Sequence, residues 1–595
     1  MRYPFLTVLV AAVVITTPAG ASAGPSAHER LTKLAQEIVN TSARLDPMTA
    51  TGLGIPGHDG ELSIPSAASQ ARDLQRLHRW ESQLAAIAPA GGQHLSLVDR
   101  DDARLLQAQL TGQIRAYTVY KSAQKDYSGP AQAIVGAIFT QFQNLPIAGE
   151  AGATNADIAA AWDAIASRLS KAPAYIVAAQ KLVTHPGHLQ GIVGNEQLAG
   201  VPDFFNGPLT QTAKGQMTQA KFALFVSARD RTLATIKATH AYIAAHVNSW
   251  PENYAIGRAA YDGMLRDEQL LPYTATDVER MGADELAHGW AEEAWLTSLS
   301  QLRGTPFGPS TGGGLAPSGP ALIGYYHDRI AELRDFVVKH DVVTVPDWLG
   351  EIKVVETPSF LQPVSPGASM NSPRLFSSSS TGYYFITPPK SLQEAAARLD
   401  MNEDFDRDRI WSTAAHEAMP GHFLQLSIAK RHPDYIRKIQ GSGVFAEGWA
   451  FYGEEMFVRL GLYGDDLDGR LYTARWERVR GARATVDPKL ASGEWTYRQA
   501  ADFFAQQTGF TKGAADAAVA GIALGPGYVI SYTVGRLQLE NLEAQYMLKM
   551  GSKGSLHDFH DRLLSYGTTP YSIMGPELLA DLNKSAAQVR AAANY

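Results

Sequence analysis

A mainly α-helical fold interrupted once by a small β-sheet is what the sequence predicts, and three observations predict it. From residue 26 to about 345, apolar residues recur at steps of three and four, the spacing that gathers them on one helix face. Between 351 and 387 the pattern shifts to short runs of β-branched and aromatic residues that end at prolines. Beyond them the helical spacing returns. With 595 residues and 45% hydrophobic content, the chain can bury a large core.

Taken in order, the apolar spacing places helices over 31–45, 68–87, 103–120, 158–169, 220–247 and 278–302. Asn155 reads as an N-cap, and Thr276 with Glu279 as a capping box. Gly- and Pro-rich stretches at 52–65, 194–208 and 304–320 read as loops. The last contains Gly312-Gly-Gly, but no strand precedes it and no Gly-Lys-Ser/Thr follows, so it is not a phosphate-binding loop. Strands are expected over 351–357 and 382–387, just ahead of the helix that carries the chemistry. Such a strand could pair with an extended peptide through its main chain, or be a plain edge strand. The serines at 377–380 lack a Gly-x-Ser-x-Gly elbow and read as a loop.

Composition narrows the function. Charged residues make up 19% and the net charge is −7, so no global basic field invites nucleic acid. There are no cysteines, which excludes disulfides, thiolate catalysis, cysteine metal sites and a lipidated cysteine. Residues 1–23 have the form of a signal peptide: Arg2 first, an apolar run over 5–15, then Ala21-Ser22-Ala23 as a small-residue cleavage site. That run is too short to span a bilayer, and no later run reaches transmembrane length. The mature chain is therefore expected to be exported and soluble, in periplasm or medium.

The chemistry centres on 413–425, Thr-Ala-Ala-His-Glu-Ala-Met-Pro-Gly-His-Phe-Leu-Gln. His416 and Glu417 open this run as H-E-x-x-H opens, a pattern in which two histidines one turn apart ligate one zinc beside a catalytic glutamate. Here the second histidine is His422, two residues late. On a regular helix it would lie about 120° away and roughly 9 Å along the axis, too far to chelate with His416. The inserted pair is Pro420-Gly421, which lacks one backbone donor and tolerates unusual angles. A local bulge is expected there, swinging His422 back beside His416. Glu447, in an apolar helical run flanked by Phe445, Trp449 and Phe451, is costly to bury without positive charge nearby. A hairpin through His432-Pro433 would bring it to the histidines as third ligand; an ion pair with an arginine is the alternative. His185-Pro-Gly-His188 echoes half of the motif without its glutamate and reads as a loop.

The run HEAMPGHFLQ, followed about 25 residues later by FAEGWAFYGEE, resembles the bacterial exported family known as domain of unknown function 885, itself similar to the glutamate-ligand zinc peptidases, the gluzincins. The likeness extends to 261–266 with 277–282, to Tyr383-Tyr384 with Pro388-Pro389, to Pro526-Gly527 with Ser531-Tyr532 and Gly535, and to Phe559-His560-Asp561. It implies His416, His422 and Glu447 as ligands of one zinc ion (Zn2+) and Glu417 as catalytic base. One departure is the absence of a glycine and histidine after Asp487, where the chain runs Pro-Lys-Leu-Ala. The resemblance to gluzincins also implies a single large helical body with a deep cleft and the small sheet beside the zinc-site helix. Residues 24–345 would form one cleft wall and 346–595 the metal-bearing region.

The expected chemistry is zinc-dependent hydrolysis of short peptides, with Tyr532, His560 or Tyr383, in that order, as hydrogen-bond donor to the developing oxyanion. Arg475, Arg478, Arg480 and Arg483 share one amphipathic stretch and read either as a solvated face or as the source of one arginine, Arg480 or Arg483, that grips a substrate carboxylate. Tyr384 joins them as a substrate-binding candidate. The rival readings are a zinc amide hydrolase of non-peptide substrates and an exported protein that binds peptides without cutting them.

Overall fold

The computed structural model describes residues 25–89, 95–147, 153–305, 307, 316–317, 319–362, 368–388 and 407–595. The segment read as a signal peptide and the Gly312-Gly-Gly loop lie outside the described residues.

The helices predicted from apolar spacing are present, with longer bounds where caps extend them: Ala27–Leu45, Ala67–Ile87, Leu97–Arg115, Asn155–Gln180, Gln219–His246 and Ala275–Arg303. Two caps sit earlier than expected, at Thr154 and Thr274. Each is closed by an aspartate: Asp157 accepts from Thr154 N–H at 2.8 Å and Asp277 from Thr274 N–H at 3.0 Å. Aspartate thus does here what glutamate does in the usual capping box. The stretch 194–208 is not a loop. It lies within Leu-, Val- and Phe-bearing short helices, His188–Ala199, Val201–Asn206 and Pro208–Gln216, the last two with proline in the first turn, where its missing N–H costs nothing. His188 opens the first of these and meets Glu252 at 2.6 Å.

The sheet has three strands, β1 (Ile352–Glu356), β2 (Ala368–Asn371) and β3 (Gly382–Ile386), in the order β1-β3-β2. Tyr384 pairs with Val354 of parallel β1 and with Met370 of antiparallel β2. β3 is therefore central and paired on both edges and cannot accept a peptide main chain, whereas β1, the other predicted strand, is an edge strand of the sheet. β2 was not legible: Ala-Ser-Met-Asn has no β-branched or aromatic residue.

Apolar cores cross residue 346. Phe360 and Phe385 join the core of the helices between 131 and 247, and Ile436 and Ile573 join that of the first helices, with Leu31, Leu77 and Leu106. The second half is pinned by a close helix crossing. Helix Gly443–Arg459 packs on helix Ser531–Met550 with Gly448 against Gly535: a Cβ on Gly448 would lie 2.5 Å from Gly535 C, and one on Gly535 would lie 2.0 Å from Val444 O. Backbones can touch only because neither residue has a side chain. Among the described residues, no helix is long and apolar enough to cross a membrane.

Replacing Gly448 by alanine is expected to destabilise the protein by at least about 1–3 kcal/mol, the usual cost of forcing atoms into a filled contact. Denaturant unfolding checks it; an unchanged midpoint would mean that the two helices separate freely.

Candidate metal centre

The helix bearing His416, Arg407–Glu417, ends at Glu417, and a new helix, His422–Lys430, starts at His422. The expected bulge within one helix is thus a full break. Pro420 has no N–H to continue the ladder, the Met419–Pro420 peptide is cis, and Met419 N–H bonds instead to Ala414 O, 3.0 Å away. Gly421 then folds tightly over the helix end: a Cβ there would lie 1.8 Å from His416 O and 2.4 Å from Ala415 O. No other residue fits. The chain restarts with the two imidazoles edge to face, 4.8 Å between ring centroids.

Helix Gly443–Arg459 starts at the Ser442 cap, whose hydroxyl accepts from Phe445 N–H, and presents Glu447 to this pair. Glu447 Oε2 is 3.3 Å from His416 Nε2 and 3.4 Å from His422 Nε2, and all three ligand atoms lie within 4.8 Å of one another. Atoms bound at about 2.0–2.1 Å to a tetrahedral metal stand roughly 3.3–3.4 Å apart, so these distances fit the edges of such a polyhedron. Glu447 Oε2 and His422 Nδ1 are buried without a hydrogen-bond partner, and among the described residues no arginine pairs with Glu447. The donor set fits a divalent metal.

Electrostatics point the same way. Burial alone would raise the Glu447 carboxyl, but His422 and His416 outweigh it and hold it well below the carboxylate range. Burial alone would discharge His416, yet Glu447 and Glu454 push its pKa up to about 10. The pocket is built to hold a positive charge. Glu417 differs: burial raises its carboxyl, against the pull of the two histidines, which suits a group that must accept a proton.

Two residues escaped the sequence reading. Glu454 accepts from His416 Nδ1 at 2.7 Å, so the imidazole sits between two carboxylates of one helix, seven residues apart. That spacing of two turns on one face was the available signal. Tyr528 donates to Glu447 Oε1 at 2.5 Å while 51% exposed, so it stands where the site meets solvent. It lies four residues before Tyr532, across a helix start.

The predicted accessory residues divide. Tyr532 stacks on His416, 5.9 Å between rings and 23° between planes. Arg480 donates through Nη2 to Glu454 Oε1 at 2.5 Å and lies over Phe451, while its Nε and Nη1 are buried without a hydrogen-bond partner. Arg483 lies over Trp476 and Tyr532, at 5.7 and 5.5 Å. Three others are corrected. His560 is fully buried with both ring nitrogens engaged, to Tyr452 Oη at 3.0 Å and Val342 O at 2.8 Å, and burial lowers its pKa to about 4. Tyr452 is five residues beyond Glu447, about 140° around their helix, so His560 sits behind the site rather than in it. Tyr383 gives its hydroxyl to Gln143 O at 2.6 Å. Tyr384 is fully buried against Tyr326 and is not presented to a substrate. β-strand alternation does not explain this pair, because β3 is covered on both faces.

Glu454→Gln is expected to lower metal affinity about 10- to 100-fold by loosening the orientation of His416, without removing a ligand. Competition against a chelator of known affinity measures it, and an unchanged value would mean that packing alone orients the imidazole.

No curated protein matches the sequence. Solved structures share the fold, two of them over most of this chain. A candidate lipoprotein of unknown function from Shewanella oneidensis superposes with a TM-score of 0.70 at 20% identity, over 92% of this chain and 99% of that one. A candidate lipoprotein from Colwellia psychrerythraea gives 0.73 at 18% identity, over 94% and 99%. The family profile described as bacterial protein of unknown function, DUF885, matches residues 47–578, and the chain belongs to that family.

Proposed function

We propose that this protein hydrolyses peptide bonds in short peptides outside the cytoplasm, using one zinc ion held by His416, His422 and Glu447. The observation that carries the reading is the triangle of two imidazole Nε2 atoms and one carboxylate oxygen, two of its three residues buried, with Glu417 adjoining in sequence. Two neutral imidazoles and one carboxylate would leave the metal a net positive charge and an open position. A metal there supplies a Lewis acid, which acidifies water and polarises an amide carbonyl.

The chain's own residues do the rest. Glu417 takes the proton of the attacking water and hands it to the leaving amine, and its burial-raised carboxyl suits both transfers. Tyr532, stacked on His416, and Tyr528, on Glu447, hold hydroxyls beside the ligands, from which one can donate to the developing oxyanion. Arg480 fixes Glu454 and through it the His416 ring. A protein that only captured peptides would have no use for a carboxylic base at 417. Export is supported by the form of residues 1–23 and by the description of both structural neighbours as lipoproteins.

Purified mature protein is expected to carry one zinc per chain and to cut members of a short-peptide mixture read by mass spectrometry. Glu417→Gln should keep the zinc and lose several orders of magnitude in turnover; near-wild-type turnover would remove Glu417 from its role. Chelation should abolish cleavage and added zinc restore it. Cleavage that survives metal removal would overturn the metal-dependent reading.

A further inference from the structure

Arg483 stands out once the other charges near the metal centre are assigned. Arg480 belongs to Glu454, Arg478 to Glu293 at 3.1 Å and Arg475 to Glu293 at 3.0 Å. Arg483 has neither ion pair nor hydrogen bond among the described residues, although it is only partly exposed. Its neighbours are the rings of Trp476 and Tyr532 and a second cation, Arg480, which shares both rings at 5.2 and 5.4 Å. A guanidinium flanked by aromatic faces and another guanidinium is oriented but not neutralised. The two rings flank the guanidinium at cation–π distance, and its fork matches a carboxylate in bidentate geometry.

Its position is also specific. Its guanidinium carbon is 5.5 Å from the Tyr532 ring, which is 5.9 Å from the His416 ring, so the guanidinium lies no more than about 11 Å from the imidazole. One residue spans at most about 3.6 Å. Allowing about 2.8 Å for a charged hydrogen bond, a span of that size or less leaves room for at most one or two residues between a carbonyl at the site and a terminal carboxylate.

We propose that Arg483 anchors the free C-terminal carboxylate of the substrate, so that the enzyme removes one or two residues from peptide C-termini rather than cutting internally. The inference rests on the hydrolase reading for its second half only. The chemistry is ordinary hydrolysis: water adds across the amide, its hydroxyl going to the acyl carbon and a proton to the released amine.

The test separates binding from turnover. In Glu417→Gln protein, calorimetry would compare a short peptide as free acid with the same peptide as C-terminal amide. The acid is expected to bind at least tenfold tighter, Arg483→Gln in that background should abolish the difference, and Arg483→Lys should restore only part of it. Metal content and thermal midpoint of each variant exclude misfolding as the cause. Equal affinity for acid and amide, or a preference that survives Arg483→Gln, would overturn the anchor. With wild type, products should shorten stepwise from the C-terminus; internal cleavage, or equal turnover of acid and amide, would overturn the inference while leaving the hydrolase reading intact. An acid preference lost in Arg483→Gln but with no cleavage by wild type would uphold the anchor and overturn hydrolysis.

Discussion

The structure depends on one electrostatic constraint: the carboxylate of Glu447 is buried in the middle of an apolar helix and must meet positive charge. An unpaired buried carboxylate costs several kcal/mol even after relaxation. Phe445, Trp449 and Phe451 around it are fully buried and offer it nothing. The compensation comes from the two histidines and whatever cation they hold. To supply them on one side, the preceding helix has to stop and restart within four residues, which fixes the need for Pro420 and Gly421. The second carboxylate, Glu454, follows from the first, since an imidazole pressed between two acidic groups is held at both nitrogens. Arg480 then balances Glu454. Each charge is answered by the next as far as Arg480, and Arg483 beside it has no ion pair among the described residues.

How much of this was legible depends on whether the signal was local. His416, Glu417, His422 and Glu447 could be singled out because a spacing, an odd Pro-Gly pair and an acidic residue in an apolar run are visible in a few residues. The helix break was misjudged as a bulge, since nothing in Met-Pro-Gly says whether the ladder resumes in phase. His560, Tyr383 and Tyr384 were misplaced for a different reason. A histidine among aspartates or a pair of tyrosines in a strand has the right chemistry, but which face it occupies is settled by packing between segments over 200 residues apart, Val342 with His560 and Gln143 with Tyr383. Tyr528 was missed because only tertiary contact distinguishes it from Tyr532. The helical class was the easiest part, being written in a repeating period. β2 was the hardest, because four residues without β-formers become a strand only through β3.

The rigidity of the site has a structural source apart from its charges. Glu447 and Glu454 are carried by a helix whose back crosses another at glycine-to-glycine distance, so it cannot rotate without losing that contact. Trp449 adds a second constraint by donating to Pro420 O at 2.8 Å, tying the same helix to the break between the histidines. His416, His422 and Glu447 therefore come from elements locked to each other by contacts that do not involve those three side chains. A site preorganised in this way spends little of its binding energy on ordering the protein.

The solvent side of the site is set by Asp487, the residue just before the Pro-Lys-Leu-Ala stretch that departs from the expected pattern. Asp487 is buried and both its oxygens accept from Gly527 N–H, at 3.0 and 2.9 Å, which fixes the turn just before Tyr528. Burial raises this carboxyl to about 8, against the pull of Gly527 N–H and Tyr261. Pro526 of the same turn, with Met264 and Tyr254, lines a cavity of about 410 Å3. The turn thus faces the cavity on one side and delivers Tyr528 to Glu447 on the other. This chain thus seats Tyr528 on Glu447 through an aspartate that shapes the backbone of the preceding turn.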